Sequence, residues 1–235
     1  MFYFQIFLAF GWLVFSCVIG LILCLFRWGD IDLDRDFARI FSWGVLRITR
    51  VTVQAKGLEK IEKPQPCVYV ANHQSGFDMA TFGTLFPKRT VVIGKKELLW
   101  IPFFGIYFIA SGNILINRQR RLKAIAGLSQ AAEAILNRKV SIWIFPEGTR
   151  NRLQEGLLPF KKGAFYMAIE AGVPIVPIVS SSLKTILPRR GCRLSGGIVR
   201  IKVLDPIPTQ GLTPQDVDLL ARQIREKMLA ALSEN

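Results

Sequence analysis

The chain begins with a run that carries no charged residue, Phe2 to Phe26. As a helix rising about 1.5 Å per residue it covers roughly 37 Å, enough to cross a bilayer core of about 30 Å. No lysine or arginine precedes the run and no small-x-small cleavage pattern closes it, so it is expected to be a retained membrane helix rather than a removable leader. From Phe37 to Ile48, the side chains of Phe37, Ile40, Phe41, Gly44, Val45 and Ile48 fall on one helical face. That pattern fits an amphipathic helix lying at the membrane interface and equally a helix packed on a core.

Past a turn near Gly57, short apolar runs alternate with helical periods. Val68–Ala71, Val91–Gly94, Ile114–Ile116, Ser141–Phe145, Ile175–Val179 and Ile198–Val203 read as strands, and Met79–Leu85, Leu122–Leu136, Phe160–Glu170 and Pro214–Leu232 as helices. The alternation predicts an α/β domain with a central, largely parallel sheet flanked by helices. Two units follow: a membrane-anchoring helical segment over residues 1–50, and a globular α/β domain over 51–235. A second uncharged run, Leu98 to Ile116, is interrupted by Pro102, Gly105 and Gly112. It reads as a membrane-dipping loop and helix, or as a wall of an apolar tunnel, rather than as a second span.

Charge sharpens the picture. Lys and Arg outnumber Asp and Glu by 31 to 17, a net +14, which calls for a polyanionic partner: nucleic acid, an anionic membrane or a phosphorylated substrate. With 51% apolar residues and no nucleic-acid motif, the membrane and the phosphorylated substrate are favoured and nucleic acid is not expected. Arg27, Arg35, Arg39, Arg47 and Arg50 all follow the first apolar run, so the positive-inside bias places the remainder of the chain at the cytoplasmic face. The four cysteines, Cys17, Cys24, Cys67 and Cys192, form no C-x-x-C pair and no metal-ligand spacing, so neither a disulfide framework nor a metal site is expected. Nor does any motif call for a cofactor.

His73 is the sole histidine, and any step that needs an imidazole near neutral pH must use it. It stands in Asn72-His73-Gln74-Ser75-Gly76-Phe77-Asp78, at the carboxyl end of the strand Val68–Ala71, where ligands gather in open α/β sheets. With His73 on the loop and Asp78 in the first turn of the next helix, the two can pair, and the carboxylate can then fix the imidazole tautomer. Ser75-x-x-Asp78 also resembles a capping box, which closes the helix and leaves the other carboxylate oxygen for His73. The amides that open this helix are candidate donors for an oxyanion. A second constellation, Phe145-Pro146-Glu147-Gly148-Thr149-Arg150, follows the strand Ser141–Phe145. Pro-Glu-Gly is an ordinary turn sequence, but the planar fork of Arg150 suits a phosphate. Arg118 and Lys95 likewise sit at strand ends.

Together these blocks resemble the 1-acyl-sn-glycerol-3-phosphate acyltransferases of the glycerolipid acyltransferase superfamily, over roughly residues 50 to 185. N-H-x-x-x-x-D matches Asn72, His73 and Asp78; K-x-E-L with a downstream P-x-x-G matches Lys95, Glu97, Leu98, Pro102 and Gly105; the arginine motif matches Arg118. F-P-E-G-T-R matches Phe145 to Arg150, and V-P-I-V-P matches Val173 to Pro177. The resemblance implies an enzyme that moves a fatty acyl group from acyl-CoA or acyl carrier protein to the sn-2 hydroxyl of lysophosphatidic acid, giving phosphatidic acid at an anionic membrane. It makes His73 and Asp78 the catalytic dyad, and gives Arg150, Glu147, Gly148, Thr149, Arg118 and Lys95 to the acceptor's phosphate. Two alternatives stay open: another lysophospholipid or glycerol-3-phosphate acyltransferase, and a basic membrane-binding protein without catalysis.

Overall fold

The computed structural model describes residues 2–62, 65–116, 121–153, 156–187 and 195–234. Helix α1, Phe2–Phe26, is long and apolar enough to cross a membrane by length and composition. One side of it exposes Tyr3, Phe4, Phe7 and Phe10, while the stripe Ser16, Cys17, Gly20 and Cys24 is buried against the protein. Gly20 leaves room for an aromatic ring against the helix: a Cβ there would meet the Tyr107 ring at 2.6 Å. Helix α2, Leu33–Thr49, answers in kind, since a Cβ on Gly44 would meet the Trp12 ring at 2.0 Å. Trp12 Nε1 also donates to the Ile40 carbonyl at 3.0 Å.

The face of α2 bearing Phe37, Phe41, Gly44 and Val45 is buried. Of the two sequence readings for this segment, packing on a core is therefore the one that holds for these four residues, while Trp43 and Arg47 point outward.

Among the described residues seven strands follow: β1 Val51–Lys56, β2 Val68–Ala71, β3 Thr90–Lys95, β4 Ile114–Ile116, β5 Ser141–Ile144, β6 Ile175–Ser180 and β7 Gly197–Val203. The helices between and after them are α3 Asp78–Gly83, α4 Phe104–Ala110, α5 Arg121–Arg138, α6 Gly163–Glu170 and α7 Val217–Ser233. The sheet runs in the order β1-β7-β6-β2-β5-β3-β4. All neighbours are parallel except β6 and β7. β2, β5 and β6 are buried at every position, as expected of parallel strands covered on both faces. Tyr69, Trp143, Val176, Ile178, Val199 and Ile201 face α1, α2, α3 and α4. Val68, Val70, Ile142, Ile144 and Ile175 face α5, α6 and α7.

Strand β1 was not expected, although Val-Thr-Val-Gln-Ala-Lys alternates apolar and polar residues as a half-covered strand does; it pairs with β7 from the far end of the chain. The uncharged run from Leu98 holds only the seven residues of α4 as α-helix, about 10 Å, so it does not form a span. Phe104, Tyr107 and Phe108 are buried beneath it, whereas Trp100, Phe103, Ile106 and Ile109 are exposed.

Candidate active site

β2 and β5 are neighbours, so the loops that leave their carboxyl ends meet at one sheet edge. The His73 loop and the Phe145–Arg150 turn are those loops. The Asn151 amide donates to the His73 carbonyl at 2.7 Å, joining them through the backbone. The Phe145 ring stacks on the imidazole, with centroids 4.1 Å apart and planes 15° from parallel.

His73 Nδ1 and Asp78 Oδ2 are 2.6 Å apart. The same oxygen accepts the backbone N–H of Gln74 at 2.6 Å and of Ser75 at 2.9 Å. Capping and pairing with the imidazole are thus compatible, and Oδ2 serves both. Oδ1 is buried and has no hydrogen-bond partner among the described residues. An oxygen already accepting two amides is an acceptor for Nδ1–H, which places the neutral imidazole's lone pair on Nε2. The His73 side chain keeps 21% of its surface open, whereas that of Asp78 keeps 1%. The Gln74 and Ser75 amides are committed to Asp78, and the Phe77 amide to Ser75 Oγ at 3.3 Å. Three of the amides between His73 and α3 are therefore already in use.

Glu147 sits behind the dyad. Its Oε1 accepts the His73 backbone N–H at 2.7 Å and its Oε2 the Leu158 N–H at 2.9 Å. Burial pushes its carboxyl above the usual range, opposed by those two amides and by the nearby imidazole. A residue expected at the acceptor's phosphate thus has both oxygens turned to backbone donors. Gly148 takes a positive φ of 70°, which lets the turn reverse, and Thr149 and Arg150 are exposed beyond it. Lys95 ends β3, the next strand beyond β5, and is exposed at the same edge. Arg118 lies outside the described residues.

Two neighbours of the histidine make contacts that the sequence did not reveal. Asn72 Nδ2 donates to the Ser180 carbonyl at 3.0 Å while its Oδ1 accepts the Ser180 N–H at 2.8 Å, stapling the end of β2 to that of β6. Gln74 Nε2 donates to the Ser181 carbonyl at 2.9 Å, and its Oε1 accepts the Leu183 N–H at 3.1 Å. Asn72 carried the signal of its place in N-H-x-x-x-x-D, whereas Gln74 carried only its adjacency to His73. Among the described residues no group of His, Cys, Asp and Glu is arranged to hold a metal ion.

The family model described as Acyltransferase matches residues 52–181. The chain is 40% identical to the 1-acyl-sn-glycerol-3-phosphate acyltransferase of Haemophilus influenzae, over 98% of this chain and 95% of that one. It is 38% identical to the alpha form from Homo sapiens, over 95% and 78%. The crystal structure of the 1-acyl-sn-glycerophosphate acyltransferase from Thermotoga maritima superposes with a TM-score of 0.79 at 25% identity, covering 99% of this chain and 93% of that chain. With the shared fold, the matched domain around His73 and identity of this order along nearly the full length, the chain belongs to the 1-acyl-sn-glycerol-3-phosphate acyltransferase family.

Proposed function

We propose that this protein acylates lysophosphatidic acid to phosphatidic acid by direct transfer from a thioester donor, with His73 as general base. The observation that carries the reading is the 2.6 Å contact of His73 Nδ1 with Asp78, which leaves Nε2 as the proton acceptor at an open sheet edge in a chain of this family. Nε2 takes the proton of the sn-2 hydroxyl as its oxygen attacks the thioester carbonyl. The tetrahedral intermediate collapses with cleavage of the C–S bond, and the imidazolium returns the proton to the departing thiolate. Asp78 steadies the imidazolium in between. Glu147 and Phe145 are positioning residues: one holds the His73 backbone and the other the ring.

Arg150 and Lys95, exposed on the β5 and β3 side of His73, take the acceptor's phosphate, with Gly148, Thr149 and Arg118 as further candidates. Residues 1–50 anchor the enzyme and 51–235 carry the chemistry. With α1 in the bilayer, the outward Trp100, Phe103, Ile106 and Ile109 extend the apolar face, and the catalytic edge looks onto an anionic membrane from the cytoplasmic side. Acyl-CoA and acyl carrier protein both supply the required thioester. The test presents the purified enzyme and one acyl-CoA with lysophosphatidic acid, glycerol 3-phosphate and lysophosphatidylcholine. Lysophosphatidic acid should be acylated at least tenfold faster than the others; a faster rate on either competitor contradicts the acceptor assignment.

A further inference from the structure

The sheet order divides the basic groups around His73 into two sets. Arg150 and Lys95 lie on the β5-β3 side, whereas Lys184 and Arg200 lie beyond β6 on the other. On that second side a cleft of about 540 Å³ is lined by Asn72, Gln74, Ser181, Ser182, Lys184 and Arg200 among others. Its inner wall is thus made of the two residues that flank the catalytic histidine. Ser181 Oγ accepts the Arg200 amide at 3.0 Å, and the Ser181 amide donates to the Arg200 carbonyl at 2.8 Å, which fixes the basic wall against the loop that Gln74 staples.

The direction in which this cleft opens follows from β7. Val199, Ile201 and Val203 are buried on the face that α1 and α2 cover. Side chains alternate along a strand, so Ile198, Arg200 and Lys202 project from the opposite face. Lys202 Nζ bonds Glu234 at the end of α7 at 2.5 Å, and Leu232 of α7 also lines the cleft. The cleft therefore faces away from the anchor helices, toward water, and its wall includes Asn72 and Gln74, the residues on either side of His73.

We propose that this cleft binds the phosphate of the donor's phosphopantetheine arm, the group that coenzyme A and acyl carrier protein share. The inference rests on the acyltransferase reading above. Two cations and a row of hydroxyls suit a phosphate, and an acceptor held by Arg150 on one flank needs the donor on the other if hydroxyl and thioester are to meet at His73. The soluble donor then approaches from water and the lipid acceptor from the membrane.

The test compares wild type with the double variant Lys184→Gln, Arg200→Gln using acyl-CoA, acyl carrier protein thioester, and a phosphate-free acyl-pantetheine. The expected result is a rise of about tenfold or more in KM for each phosphate-bearing donor that wild type uses. KM for lysophosphatidic acid and the rate with acyl-pantetheine should stay within about twofold. A rise confined to acyl carrier protein, with coenzyme A unaffected, would overturn the phosphate and point to a protein-docking surface. Unchanged donor KM, a rise in acceptor KM instead, or an equal loss with acyl-pantetheine would also overturn the proposal. Calorimetric titration with coenzyme A in the absence of acceptor keeps the site separable from the reaction: weaker binding in the variant supports the cleft even if the acceptor assignment fails, and unchanged binding refutes it.

Discussion

Glu147 holds His73 by its backbone: Oε1 accepts the histidine N–H at 2.7 Å, while Oε2 accepts that of Leu158. A glutamine at 147 keeps one acceptor and sets an NH2 against the other amide, whichever way it is turned. Glu147→Gln should therefore shift the imidazole and lower kcat by about 10- to 100-fold, with KM for lysophosphatidic acid changed by less than about threefold. Steady-state kinetics on the purified variant decide between this role and direct phosphate binding, in which KM would move and kcat would not.

Arg150 extends from the same turn on its exposed side. Lysine preserves the charge but loses the bidentate fork, so Arg150→Lys should raise KM for lysophosphatidic acid by about tenfold and leave donor KM within about twofold. The opposite pattern would assign Arg150 to the donor's phosphates.

A buried carboxylate ties the anchor to the domain. Asp34 Oδ1 in α2 accepts the Tyr107 hydroxyl and the Asn113 side-chain amide, each at 3.0 Å, while its Oδ2 is buried without a hydrogen-bond partner among the described residues. Burial pushes Asp34 up to about 7, against the lowering pull of Ser111, Tyr107, Asn113 and the charge of Arg138. The folded state thus holds this proton more tightly than the unfolded chain, whose aspartate titrates near 3.9. Stability from this group is complete below about pH 4, declines as pH rises toward 7, and is gone above it, a loss on the order of 4 kcal/mol. Asp34→Asn keeps the acceptor and removes the charge. Its melting midpoint in detergent should match wild type near pH 4 and exceed it by roughly 5 °C or more at pH 8; equal midpoints at both pH values would show that Asp34 carries no such linkage.

Direct transfer leaves no acyl group on the protein. Cys67 is buried at the start of β2, the end opposite His73, and burial raises its thiol to about 11. Ser75 Oγ accepts an amide within its own turn. Intact-mass spectrometry after incubation with acyl-CoA alone should show the unmodified chain. An adduct on either residue, formed as fast as turnover, would replace direct transfer with a covalent route.

Much of this was legible in the sequence because it is local. Strands β2 to β7 announce themselves as apolar runs, and His73 with Asp78 as a loop-and-helix pair at a strand end. What was not legible depends on partners far along the chain. β1, Val-Thr-Val-Gln-Ala-Lys, has the alternation of a half-covered strand, but its place beside β7 is set from the far end of the chain. Asp34 looks like an ordinary acid in a first helical turn, and its burial follows from Tyr107 and Asn113 more than seventy residues away. Glu147 sits in a turn sequence whose carboxylate could face either solvent or protein. The 74-residue separation from His73 hides its hydrogen bond from any pattern.

The central claim is that His73 is the general base, and the most direct measurement is the rate at which purified His73→Ala converts lysophosphatidic acid to phosphatidic acid, with circular dichroism and melting midpoint recorded on the same sample. The account predicts a folded protein whose kcat falls by roughly 10² to 10⁴, since general-base catalysis is worth about that much and no second histidine exists to replace it. A folded variant turning over within about threefold of wild type would contradict it.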